Sequence, residues 1–125
     1  MSICKDVMEF HKLLNHSMDL LEMYLSTRLA EYRKHEEEMD QRNKSIVFHE
    51  NIAFLETELD HIDKTIKFIK DMEMSGYSTV DGFRDDLLKK ISEYYHKNGI
   101  PNACTVIMTE KINKSYDFYK QISSD

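Results

Sequence analysis

Residues 48–69 read FHENIAFLETELDHIDKTIKFI, the most regular pattern in this 125-residue chain. Large apolar residues recur at alternating spacings of four and three: Phe48, Ile52, Leu55, Leu59, Ile62, Ile66 and Ile69. These are the a and d positions of a heptad repeat, which form one apolar seam along an α-helix. Asp60 and Lys64 stand four residues apart, in the order that favours a surface ion pair. The segment is therefore predicted to be a coiled-coil-like helix that packs on another helix.

Residues 1–75 contain neither glycine nor proline: Gly76 is the first glycine, and Pro101 is the only proline. Inside a helix, glycine costs roughly 1 kcal/mol and proline roughly 3 kcal/mol. A second apolar stripe of similar spacing runs from Ile3 to Tyr32. This part of the chain is therefore predicted to be long helix almost throughout.

The stretch between the two stripes, residues 33–45, is highly charged and has Met39 as its only large apolar residue. Asp40, Asn43 and Ser45 are residue types that favour caps and turns. We predict a turn here, which makes residues 1–75 a helical hairpin. The alternative is one continuous rod through residue 75, which would need a partner chain along its length.

Two shorter helices are predicted to follow the hairpin. Gly76 is expected to end the second helix near Ser75 in the left-handed conformation. Residues 78–81, Ser-Thr-Val-Asp, resemble a capping box that begins the third helix. Residues 98–101, Asn-Gly-Ile-Pro, are a strong stop signal, and a fourth helix with apolar residues from Cys104 to Ile122 follows.

The predicted fold is one all-α domain over residues 1–125, an antiparallel bundle of four helices. Residues 1–75 form the long hairpin, with helices of roughly 55 and 45 Å, and residues 76–125 form a shorter hairpin with helices of about 30 Å each. Two short helices cannot cover two long ones. Part of the long hairpin is therefore expected to stay exposed or to be covered by another protein, and a homodimer is expected.

The chain carries 17 basic and 23 acidic residues, a net charge of −6, and residues 1–75 account for all of the excess. This charge disfavours nucleic acid and anionic membrane surfaces. The N-terminus lacks a signal-peptide pattern, and no apolar run is long enough to span a membrane. Cys4 and Cys104 are too few for a disulfide framework, so reduced thiols and a cytoplasmic location are expected.

Two Glu-x-x-His motifs suggest a metal site as one alternative. Glu58 and His61 belong to the predicted second helix, and Glu93 and His96 to the third. Four-helix di-iron proteins use such motifs on inward-facing helix surfaces. In the heptad of residues 48–69, however, His61 is at position c, which is expected to face solvent. The leading expectation is therefore no metal and no cofactor.

Residues 42–49, from Arg42 to His49, resemble the R-x(4–6)-H motif of HEPN ribonucleases, which are small α-bundles that dimerise to cleave RNA. The resemblance covers eight residues. It implies that Arg42 would balance phosphate charge and that His49 would transfer a proton. This ribonuclease is the enzymatic alternative.

The main expectation is a non-catalytic protein-binding module of the adaptor, chaperone-like or inhibitory kind. With three scattered glycines, the chain has no glycine-rich phosphate loop and no nucleophile elbow. Its aromatic and methionine side chains suit an adaptable contact surface. The residues predicted to contact a partner are Met23, Tyr24, Tyr94, Tyr95, Tyr116, Phe118 and Tyr119.

Overall fold

The computed structural model describes residues 3–38 and 46–123, with side chains from residue 51 onward in the second range. Every regular element in these residues is an α-helix, in the order α1 (Lys5–Glu38), α2 (Ile46–Asp71), α3 (Val80–Lys97) and α4 (Asn102–Ser123). The prediction of an all-helical fold with four helices is confirmed. At 1.5 Å per residue, the helices measure about 51, 39, 27 and 33 Å.

α1 and α2 pack against each other as separate helices, so they are not parts of one continuous rod. The Arg33 guanidinium lies 2.9 Å from the Glu56 carboxylate, and the Lys70 ammonium lies 3.6 Å from Asp19. Residues late in α1 thus contact residues earlier in α2. Residues 39–45, where the sequence predicts the turn, lie outside the described residues.

The apolar seam of α2 forms the buried face that its spacing predicts. Ile52, Leu55, Ile62, Ile66 and Ile69 are each 8 % exposed or less, and Leu59 is half-buried. The stripe of α1 buries in the same way. Its fully or nearly fully covered apolar members are Val7, Phe10, Leu14, Met18, Leu25 and Leu29.

Phe10 joins α1 to both short helices. Its ring is fully buried, and the ring centroids of Phe83, Tyr116 and Tyr119 lie 5.7–6.2 Å away in edge-on arrangements. Such pairs stabilise a core beyond the area that they bury. Phe10 is therefore the point at which the first helix holds α3 and α4 in place.

A polar contact ties α3 to α2. The Thr65 hydroxyl donates to the carbonyl of His61 at 2.7 Å, so the Tyr95 hydroxyl is the donor in the bond between Tyr95 and Thr65. Both side chains are almost completely buried. Burial raises the pKa of Tyr95, which stays a neutral donor at physiological pH.

The ends of α2 and α3 differ in detail from the sequence prediction. α2 ends at Asp71, and Gly76 has the expected positive φ of 91° but lies in a turn beyond the helix. The N-cap of α3 is Thr79, not Ser78, and its side-chain oxygen accepts from the Gly82 amide at 3.0 Å. The sequence therefore predicted the N-cap one residue too early.

The stop after α3 has the geometry that its residues predict. Gly99 has φ 69°, its amide donates to the His96 carbonyl at 3.3 Å, and the Ile100 amide donates to the Tyr95 carbonyl at 2.9 Å. This pair of bonds is a Schellman motif, in which the left-handed residue is usually glycine.

Gly99→Ala is expected to destabilise the fold by about 1 kcal/mol, since the left-handed conformation costs a β-carbon roughly that amount. No atom lies within 4 Å of an added Cβ, so crowding adds nothing. The free energy of unfolding in urea measures the effect. Gly99→Asn, which tolerates this conformation, should recover part of the loss, and an alanine variant as stable as wild type would contradict the assignment.

Candidate functional site

The side chains at the c positions of the α2 heptad show how far α3 and α4 extend along α2. Phe54, His61 and Phe68 are seven residues apart and occupy the c positions of the heptad. The Phe68 ring packs on Tyr94 of α3 with centroids 5.0 Å apart, and the His61 ring nitrogen Nδ1 lies 3.7 Å from Cys104 Sγ at the start of α4. Phe54, the next member, is 65 % exposed.

A matching row lies on α1, formed by Phe10, Ser17 and Tyr24. Phe10 packs on the aromatic rings of α4, and Ser17 lines a small groove together with Lys111 and Lys114 of α4. Tyr24 is 56 % exposed. The side surfaces of α1 and α2 that α3 and α4 cover therefore continue along both long helices into a part that they leave open.

We call this open part the overhang and define it as residues 24–38 of α1 and 51–58 of α2. Between its two helices runs a groove of about 260 Å³, and its lining comes from α1 and α2 alone. Met23, which precedes the overhang, is 64 % exposed but does not line this groove. The residues that line the groove are Tyr24, Leu25, Arg28, Tyr32, Asn51, Phe54, Leu55 and Glu58.

Arg28 organises the α1 side of the groove. Its guanidinium lies 5.7 Å from the Tyr24 ring centroid and 5.9 Å from that of Tyr32, and it donates to both hydroxyls, at 2.9 and 3.4 Å. The bond to the Tyr24 hydroxyl is the main cause that raises the pKa of Arg28. The two rings thus lie on either side of a permanent positive charge, each about one helical turn from it.

Two of the residues predicted to contact a partner are core residues, and this part of the prediction was wrong. Tyr95 is 1 % exposed and bonds to Thr65, and Tyr119 is 6 % exposed and packs on Phe10. Neither side chain can reach a partner while the fold is intact. Thr65 of α2 and Phe10 of α1 help to bury these two side chains, which a pair of short helices could not do by itself.

The other predicted contact residues are spread over several surfaces. Tyr116 is half-buried, with its hydroxyl on Asp81 and the Arg84 guanidinium 4.0 Å from its ring centroid. Tyr94 is half-buried against Phe68, and Phe118 is 51 % exposed on α4. Of the predicted contact residues, Tyr24 lines the overhang groove, and Met23 is exposed but does not line it.

The side chains of the alternative metal site, Glu58, His61, Glu93 and His96, do not come together. His61 is half-buried beside Cys104 and does not face solvent, contrary to the expectation for a c position, while Glu93 and His96 are exposed on α3. Among the described residues, no three His, Cys, Asp or Glu side chains are grouped so as to hold a metal ion.

The contact between Cys104 and His61 resembles a nucleophile and base, but the thiol is not activated. Burial raises the pKa of Cys104, and the nearby negative charge of Glu58 raises it further. A reactive cysteine needs the opposite shift, because the thiolate is the nucleophile. The contact is therefore structural: it joins the start of α4 to α2.

The ribonuclease alternative stays a prediction. Arg42 lies outside the described residues, and His49 belongs to α2 but its side chain lies outside them as well. Nothing in the described part of the chain brings these two residues together or separates them.

Of the eight residues that line the groove, only Tyr24 was a predicted contact residue, and Phe54 is the most exposed apolar side chain among those missed. A signal was present, because phenylalanine at a c position of a heptad places a large apolar side chain beside the seam, where a two-helix coiled coil exposes it. Phe68 gives the same signal and is half-buried by α3. The pattern alone does not tell which of the two has a neighbour.

Comparison of the chain with models of protein families, with curated proteins and with solved structures gave no significant match. In the part of the chain that the structure describes, no helix combines the length and apolar character needed to cross a membrane.

Proposed function

We propose that this protein is a non-catalytic binding module whose overhang receives an amphipathic helix of a partner protein. The observation that supports it is the exposure of Tyr24 and Phe54. Each continues a row of side chains that is covered further along its helix, by α4 at Phe10 and by α3 at Phe68. In this proposal the four helices form an antiparallel bundle, and the partner helix continues it beyond the short pair.

The shape of the groove favours a helix as the occupant. Ser17 and His61 both lie beside α4. Tyr24 and Phe54 are each seven residues from one of them, on the same side of α1 and α2 respectively. An element that packs as α4 does would fill the groove with side chains three and four residues apart, which is the helix-in-groove mode of recognition. Exposed aromatic residues are frequent energetic centres of such contacts.

The charge of the overhang favours a basic partner. Its two segments carry the acidic residues Glu31, Glu36, Glu37, Glu38, Glu56 and Glu58 and the basic residues Arg28, Arg33 and Lys34, which is six against three. A helix with an apolar stripe and Lys or Arg on its flanks complements this surface, and charge complementarity also raises the rate of association.

Site-specific photo-cross-linking tests the proposal. A benzoylphenylalanine photo-cross-linker placed at position 24 or 54 should capture the same partner, and a cross-linker at the exposed positions Ala30 and Ala53, which face away from the groove, should not. The cross-linked partner peptide should be a basic amphipathic helix. Equal capture from both pairs of positions would contradict the proposal.

We also propose that the protein forms a homodimer through α1 and α4, on a different surface. A second groove between these helices is lined by Ser17, Leu21, Lys111 and Lys114. Three exposed apolar side chains lie within one helical turn of those residues: Leu20, Ile107 and Phe118. In a twofold dimer, α4 of each copy would pack on α1 of the other. This pairs α4, with a net charge of +1, with α1, with a net charge of −3.

Light scattering is expected to report twice the chain mass of 14.9 kDa. Leu20→Glu combined with Phe118→Glu should give a folded monomer, since like charges would replace the apolar contacts at the centre of the interface. Met8→Glu, which changes an equally exposed residue on another side of α1, should leave the dimer intact. A monomeric wild-type chain would overturn the dimer and leave the overhang proposal standing.

A further inference from the structure

A second pocket of the described chain lies between α2 and α3, about 20 Å along α2 from the overhang groove. Its volume is about 530 Å³, within the range of small-molecule sites. Six of its lining residues matter here: Phe68, Met72 and Tyr94 provide the apolar wall, and Lys64, Lys67 and Lys90 stand at its rim.

The wall of the pocket is aromatic and held in place. The rings of Phe68 and Tyr94 are inclined by 35° with centroids 5.0 Å apart, and both are half-buried. Met72, also half-buried, packs against the core beside them. A planar apolar group can therefore lie against a surface that already exists, without a rearrangement that would weaken binding.

The residues that line the pocket include three lysines and two carboxylates, Asp71 and Glu73. Glu73 is turned toward the loop, where its carboxylate accepts from the amide and hydroxyl of Ser75 at 3.2 and 2.8 Å.

The three lysines are not equivalent. The ammonium groups of Lys64 and Lys90 each lie 3.0 Å from a carboxylate of their own helix, Asp60 and Asp86. Hydrogen bonds to these carboxylates raise the pKa of both lysines. Within the described residues, Lys67 has no ion pair, so its charge is available to a ligand.

We propose that this pocket binds a small organic monoanion with an aromatic body. The body lies against Phe68 and Tyr94, and its single anionic group meets the ammonium of Lys67. One available cation matches one negative charge, which separates this ligand class from polyphosphates. The proposal is independent of the partner helix at the overhang, since the two grooves share no lining residue.

NMR titration of the labelled full chain with 2-naphthoate tests the proposal, at low ionic strength so that exposed charges are not screened. The expected result is a saturable shift of the amides of Phe68, Met72 and Tyr94. The neutral isostere 2-naphthamide should bind at the same amides but more weakly, by about two- to fivefold, the range of one exposed ion pair.

Two variants at the rim should act in opposite directions. Lys67→Met should lower the affinity for 2-naphthoate to that for 2-naphthamide, and Asp71→Asn should raise it by a similar factor. Lys12→Met, an exposed lysine on α1, is the control and should change neither affinity. Shifts centred on other residues, equal binding of the two probes, or no effect of Lys67→Met would overturn the proposal.

Discussion

Phe10→Ala is expected to lower the free energy of unfolding by about 3–5 kcal/mol, the usual cost of truncating a buried phenylalanine. The ring is 0 % exposed and contacts aromatic rings of both short helices. Since domains of this size are stable by about 5–15 kcal/mol in total, the loss removes a large part of the stability.

Chemical denaturation followed by circular dichroism measures this loss. Met8→Ala is the matched control, because Met8 lies two residues before Phe10 on α1 and is 48 % exposed. It should change the free energy of unfolding by less than about 0.5 kcal/mol. If Phe10→Ala costs no more than this control, α3 and α4 are not held on α1 through Phe10.

Phe54→Glu and Tyr24→Glu are expected to weaken binding of the captured partner by about 30-fold or more each, the effect of losing a central interface residue of about 2 kcal/mol. Each substitution removes an aromatic contact and adds a negative charge opposite a basic helix. Because both side chains are more than half exposed, the fold itself should lose less than about 0.5 kcal/mol.

The matched controls for these variants are Ala30→Glu and Ala53→Glu, which add the same charge to the same helices on surfaces away from the groove. Titration calorimetry with the partner identified by cross-linking gives the affinities. A partner whose affinity falls equally in the control variants recognises the general charge of α1 and α2 and not the groove.

The buried seam of α2 could be predicted because it depends on local periodicity alone. Ile52, Leu55 and Ile62 lie at a and d spacing, and all are buried. The end of α2 was harder to predict from the sequence, because Met72 and Met74 extend the apolar pattern and no helix-breaking residue occurs before Gly76. The helix nevertheless stops at Asp71.

The candidate site could be predicted only in part, because exposure at the side of a helix depends on neighbours distant in sequence. Tyr24 was predicted and Phe54 was missed, although the two face one groove. Phe54 and Phe68 occupy equivalent heptad positions, yet only Phe68 meets α3. Tyr95 and Tyr119 were predicted to be exposed for the same reason. Thr65 and Phe10 bury them through tertiary contacts, which a sequence pattern does not show.

Amide hydrogen exchange, compared between the free protein and its complex with the cross-linked partner, tests most directly whether the overhang is the binding surface. In the free protein, the amides of residues 24–38 and 51–58 are expected to exchange faster than those of the α1 and α2 segments under α3 and α4, because fewer apolar contacts hold them. In the complex, protection should rise in these two segments and stay unchanged in α3. Protection that rises in α3 or elsewhere while the overhang stays unchanged would contradict the proposed function.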